Sequence, residues 1–350
     1  MSRDSSLMTA LIDVIPEPVL AVSAEGRILA ANPPARALFP ALRLGDLLAL
    51  NLRAPDVLDG MARVRADGRS ERVLWLERVP VERLFDVNIA ALALPGTGPA
   101  MVLTLRDLSE LRRVERMRVD FIANASHELR TPLASLLGFI ETLQGAARDD
   151  PRAREKFLGI MLEQARRMAR LVDDLLSLSR IEQHLHLRPG EPVDLGLVAR
   201  YVSDTLARLA RDNGVQLQVD IAPDIIVTGD RDELVRVAEN LIENAIKYGA
   251  AASGGMAQAV AISVGLAGGH AIFMVRDFGQ GIAPEHLPRL TERFYRVDAG
   301  QSRAKGGTGL GLAIVKHIVA RHRGRLQIDS TLGAGASFSV TLPLHEAKAS

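Results

Sequence analysis

Two long amphipathic stretches, joined by a short turn, limit what this chain can become. In the first, Val114, Met117, Phe121, Ala125, Leu129, Leu133, Leu136, Ile140 and Leu143 recur every three or four positions, the spacing of one apolar stripe along an α-helix. In the second, Phe157, Ile160, Met161, Met168, Leu171, Val172, Leu175, Leu178 and Ile181 give a broader stripe between Ala153 and Gln183. Helices of this kind, connected through Ala147-Arg-Asp-Asp-Pro151, form an antiparallel hairpin that leaves apolar surface uncovered. Pairing two hairpins across a twofold axis covers it, so the pattern predicts a homodimer built on a four-helix bundle.

The polar side of the first stripe carries chemistry. At about 100° per residue, His127 falls opposite Ala125 and Leu129 and faces solvent, with Thr131 one turn further along the same side. Pro132 cannot donate to the carbonyl of Glu128, so the helix is expected to bend just past the histidine. An outward histidine on a helix is by itself usually a solvated side chain. Its neighbours decide the matter.

A chain of 350 residues is too long for one core and divides into two or three domains. With a net charge of +1, bulk electrostatics give no reason to expect nucleic-acid binding. Cysteine is absent, which excludes disulfides and thiolate metal sites and suits a reducing cytosol. No apolar run approaches the ~18 residues needed to cross a bilayer, and the start Met-Ser-Arg-Asp-Ser-Ser lacks a signal-peptide pattern. A soluble, cytoplasmic chain without a membrane span is expected.

Residues 1–108 read as a compact unit of their own. A short helical opening from Leu7 to Val14 precedes strands at Pro18–Val22 and Ile28–Asn32, a short helix at Ala35–Phe39, and a helical and loop-like stretch broken at Pro40 and Pro55. Strands follow at Arg72–Val79, Leu84–Ala93 and Ala100–Leu105, separated by Pro80 and by Pro95-Gly-Thr-Gly-Pro99. All eight histidines lie at or beyond His127, so this unit offers neither histidine nor cysteine to a haem iron or metal, and no tightly held metal cofactor is expected there. The arginine-rich run Leu111–Val119 reads as a solvated helix flank.

Past the hairpin, residues 184–192 read as a linker through Pro189, Gly190 and Pro192. Helix and strand patterns then alternate: a helix at Leu195–Asp212, strands at Val215–Ile221 and Ile225–Thr228, a helix opening at Asp230-Arg-Asp-Glu233, then strands at Val260–Leu266, Ala271–Arg276, Arg325–Asp329 and Ser337–Leu342. This predicts an α/β sandwich with helices on one sheet face. Asn240, Asn244 and Lys247 share one sector of their helix while Leu234, Val237, Leu241 and Ala245 fill another. Alone, two such asparagines could simply cap or bond a loop. Asp277-Phe-Gly-Gln-Gly281 directly follows a strand and could be a turn. Gly306-Gly-Thr-Gly-Leu-Gly311 opens a helix running to Arg321, where backbone N–H groups and the positive dipole end suit phosphate. Neither the Rossmann nor the Walker spacing is met.

Taken together these motifs resemble a known family. Phe121-Ile-Ala-Asn-Ala-Ser-His-Glu-Leu-Arg-Thr-Pro-Leu133 closely resembles the phospho-acceptor box of sensor histidine kinases of two-component systems. Asn240-Leu-Ile-Glu-Asn-Ala-Ile-Lys-Tyr248 resembles the N box of the ATPases that include histidine kinases, DNA gyrase, Hsp90 and MutL, the GHKL type. Asp277–Gly281, Thr291-Glu-Arg-Phe-Tyr-Arg296 and Gly306–Gly311 resemble its G1, F and G2 boxes, in the family's order. The strand and helix order of residues 1–108, with Glu25-Gly-Arg-Ile28, Asn32 and the exit Arg106-Asp-Leu-Ser-Glu110, resembles a PAS domain. The acceptor region and Leu290–Asp298 look most like the phosphate-regulon sensor subgroup.

The resemblance implies a multidomain α+β chain: a PAS-like sensor over 1–108, a dimerisation and phosphotransfer hairpin over 109–184 and an ATP-binding domain over 185–345. It implies Mg-ATP as cofactor, autophosphorylation of His127 with Glu128 accepting the other ring proton, and transfer to an aspartate of an OmpR/PhoB-like response regulator. Thr131 matches the family position that orients water for dephosphorylating the regulator. Asn244 would ligate Mg²⁺, Asn240 would sit against its water shell, Lys247 would approach phosphate and Tyr248 the adenosine. Asp277 would accept the adenine amino hydrogen, with Gly279 and Gly281 admitting the ring. Gly307, Thr308, Gly309, Leu310 and Gly311 would cradle phosphates, with Arg296 and Lys305 reaching them across a mobile lid at Asp298–Lys305. The other histidines, His184, His186, His317 and His322 among them, are expected at the surface. Two alternatives stand beside this reading: a non-catalytic scaffold that binds a regulator, and a gyrase- or Hsp90-like ATPase, which has no use for the His-Glu-x-x-Thr-Pro box.

Overall fold

A computed structural model describes residues 9–78, 82–94, 98–184, 187–249, 258–298 and 307–345. The chain divides into two compact units, Met1–Asp120 and Phe121–Ser350.

The first unit is built on one antiparallel sheet of β1 (Val19–Ser23), β2 (Ile28–Ala31), β3 (Glu71–Glu77), β4 (Arg83–Leu94) and β5 (Gly98–Asp107), in the order β2-β1-β5-β4-β3. Helices α1 (Pro33–Leu38), α2 (Leu48–Asn51) and α3 (Pro55–Asp67) fill the connection between β2 and β3. Pro55 opens α3 at a first-turn position, where its missing N–H costs nothing. The core gathers Leu20, Ile28, Leu52, Val57 and Leu103, with Trp75 stacked on Phe85 at 5.0 Å. Asn32, fully buried, ties the entry of the chain to the sheet. Its amide oxygen accepts from Val19 N–H (2.9 Å) and Ala35 N–H (3.0 Å), and its NH₂ donates to the carbonyls of Ile12, Ile15 and Glu17. Leu7, Val79, Pro80 and much of the β4–β5 turn lie outside the described residues.

Helix α4 (Ser109–Gln144) begins in the first unit and continues in the second, running on through Pro132 as one helix. Helix α5 (Pro151–Gln183) starts where Asp150 caps the N–H groups of Arg152 and Ala153 and Pro151 occupies the first position. Phe139 and Phe157 meet at 5.1 Å between the two helices. Leu133, Leu137, Leu158, Leu162 and Leu176 remain exposed on the single hairpin.

The stretch expected as linker instead ends in a strand: β6 (Glu191–Asp194) pairs antiparallel with β8 (Ile226–Gly229). Val193 is buried in this pair, and Pro192 is tolerated because a two-stranded ribbon is all edge. Helix α6 (Leu195–Asp212) follows, capped by Asp194. Then come β7 (Val215–Ile221), β8, α7 (Arg231–Gly249), β9 (Gln258–Ala267), β10 (His270–Asp277), α8 (Gly311–Arg321), β11 (Arg325–Ser330) and β12 (Ala336–Pro343). The sheet order is β11-β12-β10-β9-β7, with β7 and β9 parallel. Strands β10 and β12 alternate buried and half-exposed residues, so one face of the sheet is covered, by the apolar sides of α6, α7 and α8.

Candidate active site

A cavity of about 420 Å³ opens between α7, the end of β10, the loop before α8 and one face of α5. Helix α7 buries Leu234, Val237, Leu241, Ile242 and Ala245 against the sheet and turns Asn240, Glu243, Asn244 and Lys247 into the cavity. Lys247 pairs with Glu243 at 2.6 Å, an i,i+4 contact on the same helix face. Tyr248 borders the cavity at the far end of α7.

That end is built around Asp277. The carboxylate is 5% exposed and its Oδ1 accepts from Gly279 N–H at 2.9 Å and Ala336 N–H at 3.3 Å. Burial pushes this carboxyl above the ordinary aspartate range, and the two N–H donors pull the other way. The glycines here are demanded by space. A Cβ on Gly279 would stand 2.9 Å from the Tyr248 carbonyl oxygen, and at Gly281, with φ +71°, one would run into the Thr331 carbonyl.

At the opposite end, Gly307, Thr308, Gly309 and Gly311 line the cavity and lead into the N-terminus of α8. A Cβ on Gly311 would overlap Asn240 Oδ1, an oxygen fixed in place because the same amide donates to the Arg236 carbonyl at 2.8 Å. Gly309 has φ +75° and passes close under Phe294, whose N–H donates to the Gly309 carbonyl at 2.8 Å. Phe294 has φ +63° and packs its ring 5.8 Å from that of Phe121. Leu310 differs from its expected role: its side chain is fully buried in the core and does not border the cavity. Of the expected lid, Asp298 borders the cavity, while Lys305 and the other residues from 299 to 306 lie outside the described residues.

His127 is exposed on α4, as its place opposite the apolar stripe predicts, and the Thr131 hydroxyl donates to the His127 carbonyl at 3.2 Å. Glu128 is not free beside it. Its Oε2 accepts from Arg167 of α5 and from Arg296, both at 3.0 Å, and its Oε1 accepts from Arg296 at 3.3 Å. Arg296 also donates to the Gly307 carbonyl at 2.8 Å, so one guanidinium joins the acceptor helix to the glycine loop. Two more clasps hold the hairpin on the cavity-bearing fold. Glu182 accepts from Arg293 and lies 3.5 Å from His317. Asp174 accepts from Arg236 at 2.8 Å and from the Thr308 hydroxyl at 2.7 Å.

Of the residues singled out in the sequence, Asn240, Asn244, Lys247, Tyr248, Asp277, Gly281, Arg296, Gly307, Thr308, Gly309 and Gly311 all border one cavity, and Gly279 packs beside Asp277. The expectation of surface histidines fails at two of the described sites. His322 is buried: its Nε2 accepts from Asp230 N–H at 3.0 Å, so its proton sits on Nδ1, directed to the Ile318 carbonyl at 2.8 Å. It continues the apolar column Ile314, Ile318 at the next turn of α8, and that spacing is the signal that could have placed it. His317 is half-buried against Glu182. His184 is exposed, and His186 lies outside the described residues. Sequence reasoning also missed Arg236, one turn before Asn240 on the same face, and the α5 residues Arg170, Asp173 and Asp174, which border the cavity from a separate element.

Residues 117–184 match the family model of the His Kinase A (phospho-acceptor) domain, and residues 229–346 match that of the Histidine kinase-, DNA gyrase B-, and HSP90-like ATPase, together more than half of the chain. The chain belongs to the sensor histidine kinases. Among curated members of that family it is 39% identical over 238 residues to the phosphate regulon sensor protein PhoR of Pseudomonas aeruginosa, covering 68% of this chain and 53% of that protein. It is 38% identical over 245 residues to the sensor-like histidine kinase SenX3 of Mycolicibacterium smegmatis, covering 69% of this chain and 62% of that one. The chain thus spans between half and two thirds of the length of these sensor kinases. A solved structure, the histidine kinase AdeS of Acinetobacter baumannii, is 26% identical and covers 63% of this chain and 98% of its own, with a TM-score of 0.49. No helix among the described residues of this sensor kinase is long and apolar enough to cross a membrane.

Proposed function

We propose that this sensor kinase phosphorylates His127 from Mg-ATP and passes the phosphoryl group to an aspartate of a response regulator receiver domain. The observation that carries the proposal is the link from Glu128 through Arg296 to Gly307, which joins the residue next to an exposed histidine to the glycine loop of the cavity. The neutral imidazole of His127 attacks the terminal phosphorus as the bond to the bridging oxygen breaks and ADP leaves, while Glu128, released from its arginines, accepts the proton of the other ring nitrogen. Asp277 accepts from the adenine amino group, Lys247 and the N-terminus of α8 hold phosphate, and the amide oxygen of Asn244 offers a hard ligand to Mg²⁺. A bound Mg²⁺ neutralises charge on the phosphates.

The partner is a receiver domain of the OmpR/PhoB-like class, and the likeness to PhoR supports a place in phosphate-regulon signalling. The exposed apolar rows on α4 and α5 support a homodimer through a four-helix bundle. Residues 1–108 serve as the PAS-like sensor, a reading supported by their order of two strands, helices and three strands. The reaction sets the cytoplasm as the working compartment. Thr131 orients water for a second, phosphatase activity on the regulator. Thr131→Ala is expected to lose that activity and keep autophosphorylation; unchanged dephosphorylation of the regulator refutes the role.

The test is incubation with γ-labelled ATP and Mg²⁺, alongside His127→Ala and Asn244→Ala. Acid-labile, alkali-stable label on the unaltered chain that vanishes in both variants is the expected result. Label that survives in His127→Ala overturns the assignment.

A further inference from the structure

Helix α7 gives the length of the nucleotide cavity. Tyr248 and Gly249, at its C-terminal end, lie against Gly279 and Asp277, where a Cβ on Gly249 would stand 2.9 Å from the Asp277 Cβ. Arg236, twelve positions before Tyr248, reaches Asp174. At 1.5 Å of rise per residue positions 236 and 248 are about 18 Å apart along the helix axis, so the cavity has an Asp277 end and an Asp174 end. On the nucleotide reading above, on which this inference rests, the adenosine occupies the first end. The phosphate chain then runs past Lys247 and Asn244 toward Asn240 and the glycine loop, and its last phosphate arrives at the second end.

That position already holds an anion. Asp174, on α5, accepts from the Thr308 hydroxyl at 2.7 Å and from Arg236 at 2.8 Å, and Arg236 also donates to the Asp173 carbonyl at 3.4 Å. Its side chain is 19% exposed, so water screens it poorly. Thr308 and Arg236 are two donors an incoming terminal phosphate would use, and one carboxylate has taken both. Arg170 and Arg296 border the cavity as well, and a diphosphate, which ends one phosphate earlier, meets less of the resident carboxylate than a triphosphate does.

We infer that Asp174 is a specificity-determining residue of the nucleotide site: with the hairpin docked it stands in for the terminal phosphate, so the docked chain holds a nucleoside diphosphate in preference to a triphosphate. A triphosphate seats fully only when α5 withdraws its carboxylate, and product diphosphate favours redocking. Binding of the substrate and release of the hairpin are thereby one event.

The test compares ADP and ATP by calorimetry with Mg²⁺ in the full chain, in a His127→Ala background that prevents turnover, with Asp174→Asn and Glu182→Gln added singly. Glu182 belongs to another clasp of the same docking face and does not border the cavity. Removing the charge in Asp174→Asn is expected to tighten ATP about tenfold while ADP changes less than about twofold, the scale of one partly screened like-charge contact. Glu182→Gln is expected to leave the ADP-to-ATP ratio unaltered. An unaltered ratio in Asp174→Asn, with both nucleotides bound, overturns this inference alone. An equal shift in Glu182→Gln also overturns it, because general loosening then accounts for the change. A background chain that binds neither nucleotide overturns the nucleotide reading and this inference with it.

Discussion

Removing the carboxylate of Glu128 should free the hairpin from the ATP-binding fold. Three guanidinium contacts at 3.0 to 3.3 Å converge on this side chain, from Arg167 and Arg296. The Arg296 side chain is only 7% exposed, and its Nε has no hydrogen-bond partner among the described residues. In Glu128→Ala this guanidinium loses both of its contacts to the carboxylate and keeps the one to the Gly307 carbonyl. Breaking a fully buried pair costs about 3–5 kcal/mol, and an exposed pair is worth about 0–1 kcal/mol. With Glu128 itself 25% exposed, the loss falls near 2–3 kcal/mol, a roughly 30- to 150-fold shift toward the undocked arrangement. Amide hydrogen exchange over residues 168–182 and 290–298 measures it, and exchange in both segments should speed up by about that factor. Glu128→Gln, which keeps the oxygen acceptor and loses the charge, should fall between. Unchanged exchange in both variants would refute the clasp as a determinant of docking.

Other consequences can be checked separately. Asn32→Ala removes the acceptor of Val19 N–H, the side-chain donor to the Ile15 and Glu17 carbonyls and the cap of α1, while the Ile12 carbonyl keeps Ile15 N–H, so a loss of about 3 kcal/mol is expected for the first unit; Trp75, the chain's single tryptophan, reports it through fluorescence during urea unfolding. Burial depresses the imidazole of His322, with Arg321 adding to the shift and Asp230 opposing it, while Glu233 lies 3.8 Å away. The unfolded chain therefore takes up a proton near pH 6.5 that the folded chain refuses. Stability is complete above that value and declines below it, and His322→Gln should flatten the decline seen in denaturant midpoints between about pH 5 and 7. His317, also depressed by burial, contributes with the same sign, so a residual slope is expected. Asp277→Asn turns an acceptor into a group that also donates, and ATP affinity measured by calorimetry should fall at least tenfold; unchanged affinity would remove Asp277 from the adenine end.

Periodicity made the helices legible. The stripes of α4 and α5, and the division of α7 into an apolar face and an amide-bearing face, follow from side-chain spacing along one element, and the structure places both faces of α7 as the pattern requires. Strand β6 was hidden because Pro192 and Gly190 carry loop signals, while the partner that makes it a strand lies beyond α6 and β7. His322 was misplaced although it stands one turn beyond Ile318, since a polar residue at the end of an apolar column reads as solvent-facing until its two backbone partners are seen. Asp174 had no local signal. Its meaning depends on Thr308, 134 positions away, and only docking of the hairpin brings them together.

Phe294 gives the docked arrangement a built-in bias. A non-glycine residue held in the left-handed region carries a penalty of about 1–2 kcal/mol, and here Gly309 below and the Phe121 ring above keep it there. When the hairpin departs, Phe121 goes with it, and the backbone at Phe294 can relax. The strain released there works against the ionic clasps, so undocking costs less by up to that amount than the clasps alone would set.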